Sequence, residues 1–198
     1  MKSSRQPHSG FTLIELLVSI SIFTVVITIA VGALLVLVEA NTRAQNIQSA
    51  VTNVNFVLDS IAREVRTGNG FHCASSDMTG SLSLDEHQDC PTGGTYLSVV
   101  EGGESLTGSG GGRIAYRFNG TDGTVDRRVE NGSWLPMTAE EVTITELTFY
   151  VFDSEGSAAG DDEQARATIV IEGYAGALAS DRSSFRLQTT VSKRIIDV

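Results

Sequence analysis

Residues Gly10 to Val38 read GFTLIELLVSISIFTVVITIAVGALLVLV, an apolar run that carries a single charge, Glu15. Coiled as a helix, the stretch from Phe11 to Val38 spans roughly 42 Å, more than a bilayer hydrocarbon core of about 30 Å. A segment this long and this apolar limits the chain to architectures built around a membrane-length helix. The carboxylate sharpens the constraint. An acid at membrane depth costs roughly 2.5–3.5 kcal/mol on insertion scales, so Glu15 needs a partner or a purpose.

In front of the run lies a short polar leader, MKSSRQPHSG, with Lys2 and Arg5 as its only charges. An ordinary secretory signal places its apolar region before the cleavage site and loses it. Here the one small-residue boundary beside the basic leader is Gly10–Phe11, and the apolar run follows it. A cut there removes both cations and keeps the helix. The positive leader predicts a cytoplasmic N-terminus, with the remaining residues outside. No cysteine follows at lipoprotein distance, so a lipid anchor is not expected.

GFTLIE followed by an uninterrupted apolar helix resembles the class III signal of type IV prepilins and pseudopilins. The resemblance covers about 30 residues and rests on Gly10, Phe11 and Glu15 together. It implies that a prepilin peptidase cuts between Gly10 and Phe11 and methylates the new amine of Phe11. It also implies that Glu15 pairs with the N-terminal amine of a neighbouring subunit during assembly. A buried carboxylate and a buried ammonium are each costly alone and tolerable as a pair.

The mature chain would keep 12 basic residues against 24 acidic ones. An acidic head does not invite nonspecific contact with DNA or anionic membranes, and direct nucleic-acid binding is not expected. Its two cysteines, Cys73 and Cys90, can form a disulfide in an exported domain. Such a loop would contribute on the order of 3 kcal/mol in the chain-entropy model. Free thiols remain an alternative, as does a zinc set of His72, Cys73, His87 and Cys90, whose spacing is poor for a structural site.

Beyond the apolar run, Ile47, Val51, Val54, Leu58, Ile61 and Val65 recur at alternating spacings of four and three, the stripe of an amphipathic helix. No proline interrupts Phe11 to Arg66, and Gly32 is the only glycine. Thr67-Gly68-Asn69-Gly70 is a stop signal. Phe71 to Gly94 reads as a polar loop, and Gly102 to Gly112 as a glycine-rich flexible stretch. Strands are predicted at Thr95–Val100, Arg113–Phe118, Val125–Val129, Val142–Phe152, Ala165–Tyr174 and around Phe185–Val191. Asn119-Gly120-Thr121-Asp122-Gly123 marks a hairpin between two of them. Helix first and strands afterwards predict an α+β fold, pilin-like, with the helix packed on an antiparallel sheet.

The expected division is a leader at 1–10, a transmembrane and assembly helix at 11–38, an amphipathic half at 39–68 and an extracytoplasmic β-rich head at 69–198. The head is similar, in pattern rather than motif, to J-type pseudopilins and W-type minor pilins. Retention of Glu15 argues against the K-type tip subunit, which lacks that acid. The resemblance therefore implies a minor pilin or pseudopilin of a pilus, type II secretion or competence filament. Its partners would be the prepilin peptidase, other pilins and an inner-membrane assembly platform.

Asp153, Glu155, Asp161, Asp162 and Glu163 crowd one predicted strand connection. Oxygen-rich loops can bind calcium, but the spacing does not match the twelve-residue EF-hand pattern, and a solvated hairpin tip is the competing reading. No cofactor is expected. No enzyme signature is present: no serine sits in a G-x-S-x-G elbow, and the glycine-rich stretch lacks the Lys-Ser/Thr ending of a phosphate loop. Trp134 and Tyr174 read as core or rim aromatics. A pilus-borne adhesin or DNA-uptake subunit is the alternative function, with its ligand contacts in the 71–94 loop and the 102–112 stretch.

Overall fold

The computed structural model describes residues 10–76, 84–103, 112–154, 164–176 and 182–194. The chain divides into two compact units, Met1–Thr42 and Arg43–Val198. One helix, α1 (Leu13–Thr67), contributes to both.

In the first unit α1 is apolar on every face, and its large side chains are exposed: Leu13 77%, Ile29 68%, Leu37 67%. The helix also holds several hydroxyls that hydrocarbon would not tolerate unpaired. Each is returned to the carbonyl one turn back: Ser19 donates to the Glu15 carbonyl, Ser21 to Leu17, Thr24 to Ile20 and Thr28 to Thr24, all at 2.8 Å. This is the one helix among the described residues long and apolar enough to cross a membrane.

In the second unit the same helix becomes one-sided. Ala50, Val54, Val57, Leu58, Ile61, Ala62 and Val65 are buried. The expected stripe is thus corrected at its start and widened afterwards. Ile47 is 36% exposed and Val51 only half-buried, while Ala50, Val57 and Ala62 join the contact face. The wider face follows from what it packs against, because residues of two sheets share one core cluster with it.

The first sheet is a five-stranded antiparallel meander: β1 (Asn69–Ala74), β2 (Tyr96–Val100), β3 (Arg113–Asn119), β4 (Thr124–Val129) and β5 (Leu135–Pro136). The second has three antiparallel strands: β6 (Val142–Phe152), β7 (Arg166–Ala175) and β8 (Ser183–Ser192). The expected single sheet is therefore two, joined through β6. Gly94 and Phe149 exchange backbone hydrogen bonds at 2.8 and 2.7 Å, and the Ile144 N–H donates to the Gly123 carbonyl at 2.8 Å.

Two strands depart from the sequence expectation. β1 occupies the start of the expected polar loop, because Phe71 and Cys73 enter the core while His72 takes the opposite face. The Thr67–Gly70 stop signal leads into this strand without an intervening loop. A Cβ on Gly68 would lie 2.6 Å from the Glu64 carbonyl oxygen and 2.8 Å from that of Val100, so only glycine fits the corner. β5 is two residues long and ends in Pro136, which suits an edge. The break in alternation along β6 is a register irregularity between Ile144 and Glu146, which keeps Val142, Ile144, Leu147, Phe149 and Val151 all buried.

The packing predicts unequal costs along one helix. Ile61→Ala should destabilise the folded protein by about 2–5 kcal/mol through cavity formation, whereas Ile47→Ala should stay within about 0.5 kcal/mol. Denaturant unfolding of the full chain in detergent, followed by tryptophan fluorescence, measures both.

Candidate functional site

Glu15 lies in the first turn of α1, and the structure gives it a local role. Thr12 is the residue before the helix. Its hydroxyl accepts from the Glu15 N–H at 3.4 Å, while the Glu15 carboxylate accepts from the Thr12 N–H at 3.5 Å. This is a reciprocal capping box, which satisfies two of the N–H groups that a helix start leaves unpaired. The Thr12 hydroxyl is also 3.5 Å from the same carboxylate oxygen. The carboxylate further favours the helix N-terminus by charge. Thr12 is absent from the sequence expectations above, although T-x-x-E ahead of an apolar run is the signal for such a cap.

The residues upstream are open. Gly10 is exposed, and a Cβ built on it meets nothing within 4 Å. Phe11 is exposed too. The peptide between them is free of packing from the described chain. The Glu15 carboxylate already receives the Thr12 N–H, one residue past the amine that a cut at Gly10–Phe11 would free.

Residues 5–38 match the family model of the prokaryotic N-terminal methylation motif, the class III signal of type IV pilins. A long N-terminal helix carrying antiparallel sheets is a pilin-like α+β architecture. No curated relative and no solved structure matches the chain. The match stops at Val38, so the head stands on its own geometry.

In the head, Cys73 and Cys90 are joined by a disulfide with Cα atoms 5.6 Å apart. Both sulfurs of the four-residue zinc set are thereby occupied. The disulfide secures the 84–90 segment to β1, and a buried cation secures it again. Arg113 Nη1 and Nη2 donate to the Glu86 carbonyl at 3.2 and 3.1 Å, Nη2 to Gly70 at 2.6 Å, and Nε to the Ser98 hydroxyl at 2.8 Å. Burial lowers the Arg113 pKa from its ordinary value. From sequence Arg113 is only a strand residue, since nothing in its spacing reports the carbonyls it gathers.

His72 is buried beside this clamp, and neither ring nitrogen has a hydrogen-bond partner. Burial, and then the Arg113 and His87 charges, hold its pKa below 6.5, with Glu86 acting in the opposite direction. His87 Nδ1 sits 3.0 Å from the Asp85 carbonyl, in the exposed loop.

Of the calcium candidates, Asp153 adopts a positive φ of 58°. Its N–H and that of Ser154 donate to the Asp89 carboxylate at 3.2 and 2.9 Å, so Asp89 organises this turn. Glu155, Asp161, Asp162 and Glu163 lie outside the described residues, as do 77–83 of the polar loop and 104–111 of the glycine-rich stretch. Among the described residues no group of three or more His, Cys, Asp or Glu side chains is placed to hold a metal.

Trp134 packs edge-on against Tyr96 with centroids 6.2 Å apart. The guanidinium carbons of Arg117 and Arg128 lie over its ring at 4.3 and 4.5 Å. The ring is thus already partnered by two cations and an aromatic edge of the head. Arg117 in turn reaches the buried Asp126 at 3.1 Å, which also accepts from Asn119 and Thr124.

His72 makes stability depend on pH in a defined direction. The unfolded imidazole binds its proton near pH 6.5 and the folded one at lower pH, so the unfolded chain holds more protons just below 6.5. The stabilising difference is complete above about pH 6.5 and declines as pH falls toward the folded value. Removing the imidazole with His72→Phe should flatten unfolding free energy against pH in that window relative to the parent chain, as read by urea titrations from pH 7.5 to 5.5.

Proposed function

We propose that this chain is a minor pilin or pseudopilin, a structural subunit that a prepilin peptidase releases between Gly10 and Phe11. The single supporting observation is the juxtaposition at the helix start: an open Gly10–Phe11 peptide, one turn from the carboxylate of the apolar run, within a matched methylation motif. Cleavage creates an ammonium at Phe11 that the precursor lacks. Glu15 neutralises such an amine on a neighbouring subunit, and the pair sets the axial register of one helix against the next. Paired charges in hydrocarbon cost less than either charge alone. Filament assembly then exchanges lipid for other apolar helices around Phe11–Val38. That exchange adds little apolar burial, so an external motor and an inner-membrane platform drive it. The head stays extracytoplasmic, and its role in the filament is structural rather than catalytic.

The capping box supplies a way to separate two jobs of one side chain. Glutamine serves at this capping position as well as glutamate does, but carries no charge. Glu15→Gln and Glu15→Ala should therefore both reduce filament incorporation, with membrane insertion intact, as measured by immunoblotting sheared filaments and membrane fractions. Normal incorporation of the Gln variant would show that the cap alone matters.

A second test addresses processing. A Cβ added at Gly10 meets no described atom within 4 Å, so failure to process Gly10→Val would report on the peptidase rather than on folding. Mass spectrometry of the native chain should find N-methylphenylalanine at Phe11, and of the variant the unprocessed leader. A native chain still beginning at Met1 would refute the proposal.

A further inference from the structure

The two sheets treat their edges unequally. On β1, the Cys73 N–H donates to the Gln88 carbonyl and the Gln88 N–H to the Phe71 carbonyl, both at 3.0 Å. β5 is two residues long and contains Pro136. The outer side of β6 is engaged by Gly94, by the Cys90 N–H at 3.1 Å and by the Gly123 carbonyl. β8 is different. It is ten residues long, lies at the end of the β6-β7-β8 order and pairs with β7 without a register break from Ser183 to Ser192. Among the described residues no backbone group reaches its outer side between those ends.

Natural sheets blunt such edges with proline, bulges, shortness or an inward charge, because a long regular edge recruits another strand. β8 shows none of these. Its one charge within the strand, Arg186, is matched by Glu172 on β7 at 2.9 Å. Phe185 and Leu187 pack against the core yet remain only partly buried, so the apolar layer is unfinished where the sheet ends. The opposite face presents Ser184, Arg186, Gln188, Thr190 and Ser192. Arg186 and, just past the strand, Arg194 are exposed, and no carboxylate lies between Ser183 and Arg194, although acids outnumber bases 24 to 14 overall.

We infer that the β8 edge is a docking site for an extended strand of another polypeptide, apolar at alternate positions and acidic at the positions between. An extended backbone is what the row of alternating N–H and C=O groups along roughly 33 Å of edge complements. Apolar side chains on the core side would extend the layer over Phe185 and Leu187. Carboxylates on the other side would meet the exposed Arg186 and Arg194. This inference does not depend on the processing of the N-terminus.

The test uses the full chain in detergent micelles and a fluorescent, end-capped ten-residue peptide alternating valine and glutamate. Anisotropy should show binding at low salt, at least tenfold tighter than for a valine–lysine peptide. N-methylation of alternate amides should abolish it in one of the two phases, because only one set of N–H groups faces the edge. Hydrogen exchange should slow at amides between Ser184 and Ser192, and Arg194→Glu, at an exposed position, should weaken binding severalfold. Equal binding of the lysine peptide, indifference to N-methylation in both phases, or no protection in β8 would each overturn the proposal. Self-association of the chain that protects the same amides without peptide would assign the edge to a second copy, and would overturn it too.

Discussion

Backbone and side-chain polarity must be settled differently at the two ends of one helix. Where α1 is apolar on all sides, every polar group has to find its partner within the helix. The threonine and serine hydroxyls do so by turning back one turn, and the Thr12–Glu15 box does so at the terminus. Where the helix enters the head, the requirement relaxes to one face, and seven buried side chains join the core of both sheets. A single uninterrupted helix is thus suited to two solvents because its composition changes while its backbone does not.

Much of this architecture could be read before any coordinates. The absence of proline from Phe11 to Arg66 and the glycine-rich stop account for the extent of α1. The alternating β-branched runs account for six of the eight strands. Even the slip of alternation within Val142–Phe152 was visible, and it is a register irregularity in β6. What escaped reading was set by distant neighbours. β1 is a strand because Phe71 and Cys73 meet a core assembled from residues far along the chain, against a local composition that reads as loop. β5 exists only as the terminal partner of β4. Ala50, Val57 and Ala62 are buried because two sheets, not one, meet the helix.

The site was legible in a different sense. Glu15 stood out because it is expensive, and cost is a property of residue type and surroundings alone. Its capping partner was equally local, but a residue that looks costly draws attention to charge and away from hydrogen-bond geometry. Arg113 is the contrary case. Its Nη groups collect carbonyls from Gly70, Leu84 and Glu86, and no spacing in the sequence announces that assembly. The clamp and the disulfide act on the same segment from opposite sides of β1, which places the unpartnered His72 ring between restraints.

The end of the described chain returns to the helix. The Arg194 N–H donates to the Arg66 carbonyl at 2.9 Å, and Arg127 of β4 meets Glu64, two residues earlier, at 3.5 Å. Both sheets are therefore tied to the final turn of α1, beyond the apolar packing they share with it. A tensile force applied to the helix would be divided among backbone, ionic and apolar linkages acting in parallel, so the head would travel with its stalk instead of peeling off strand by strand.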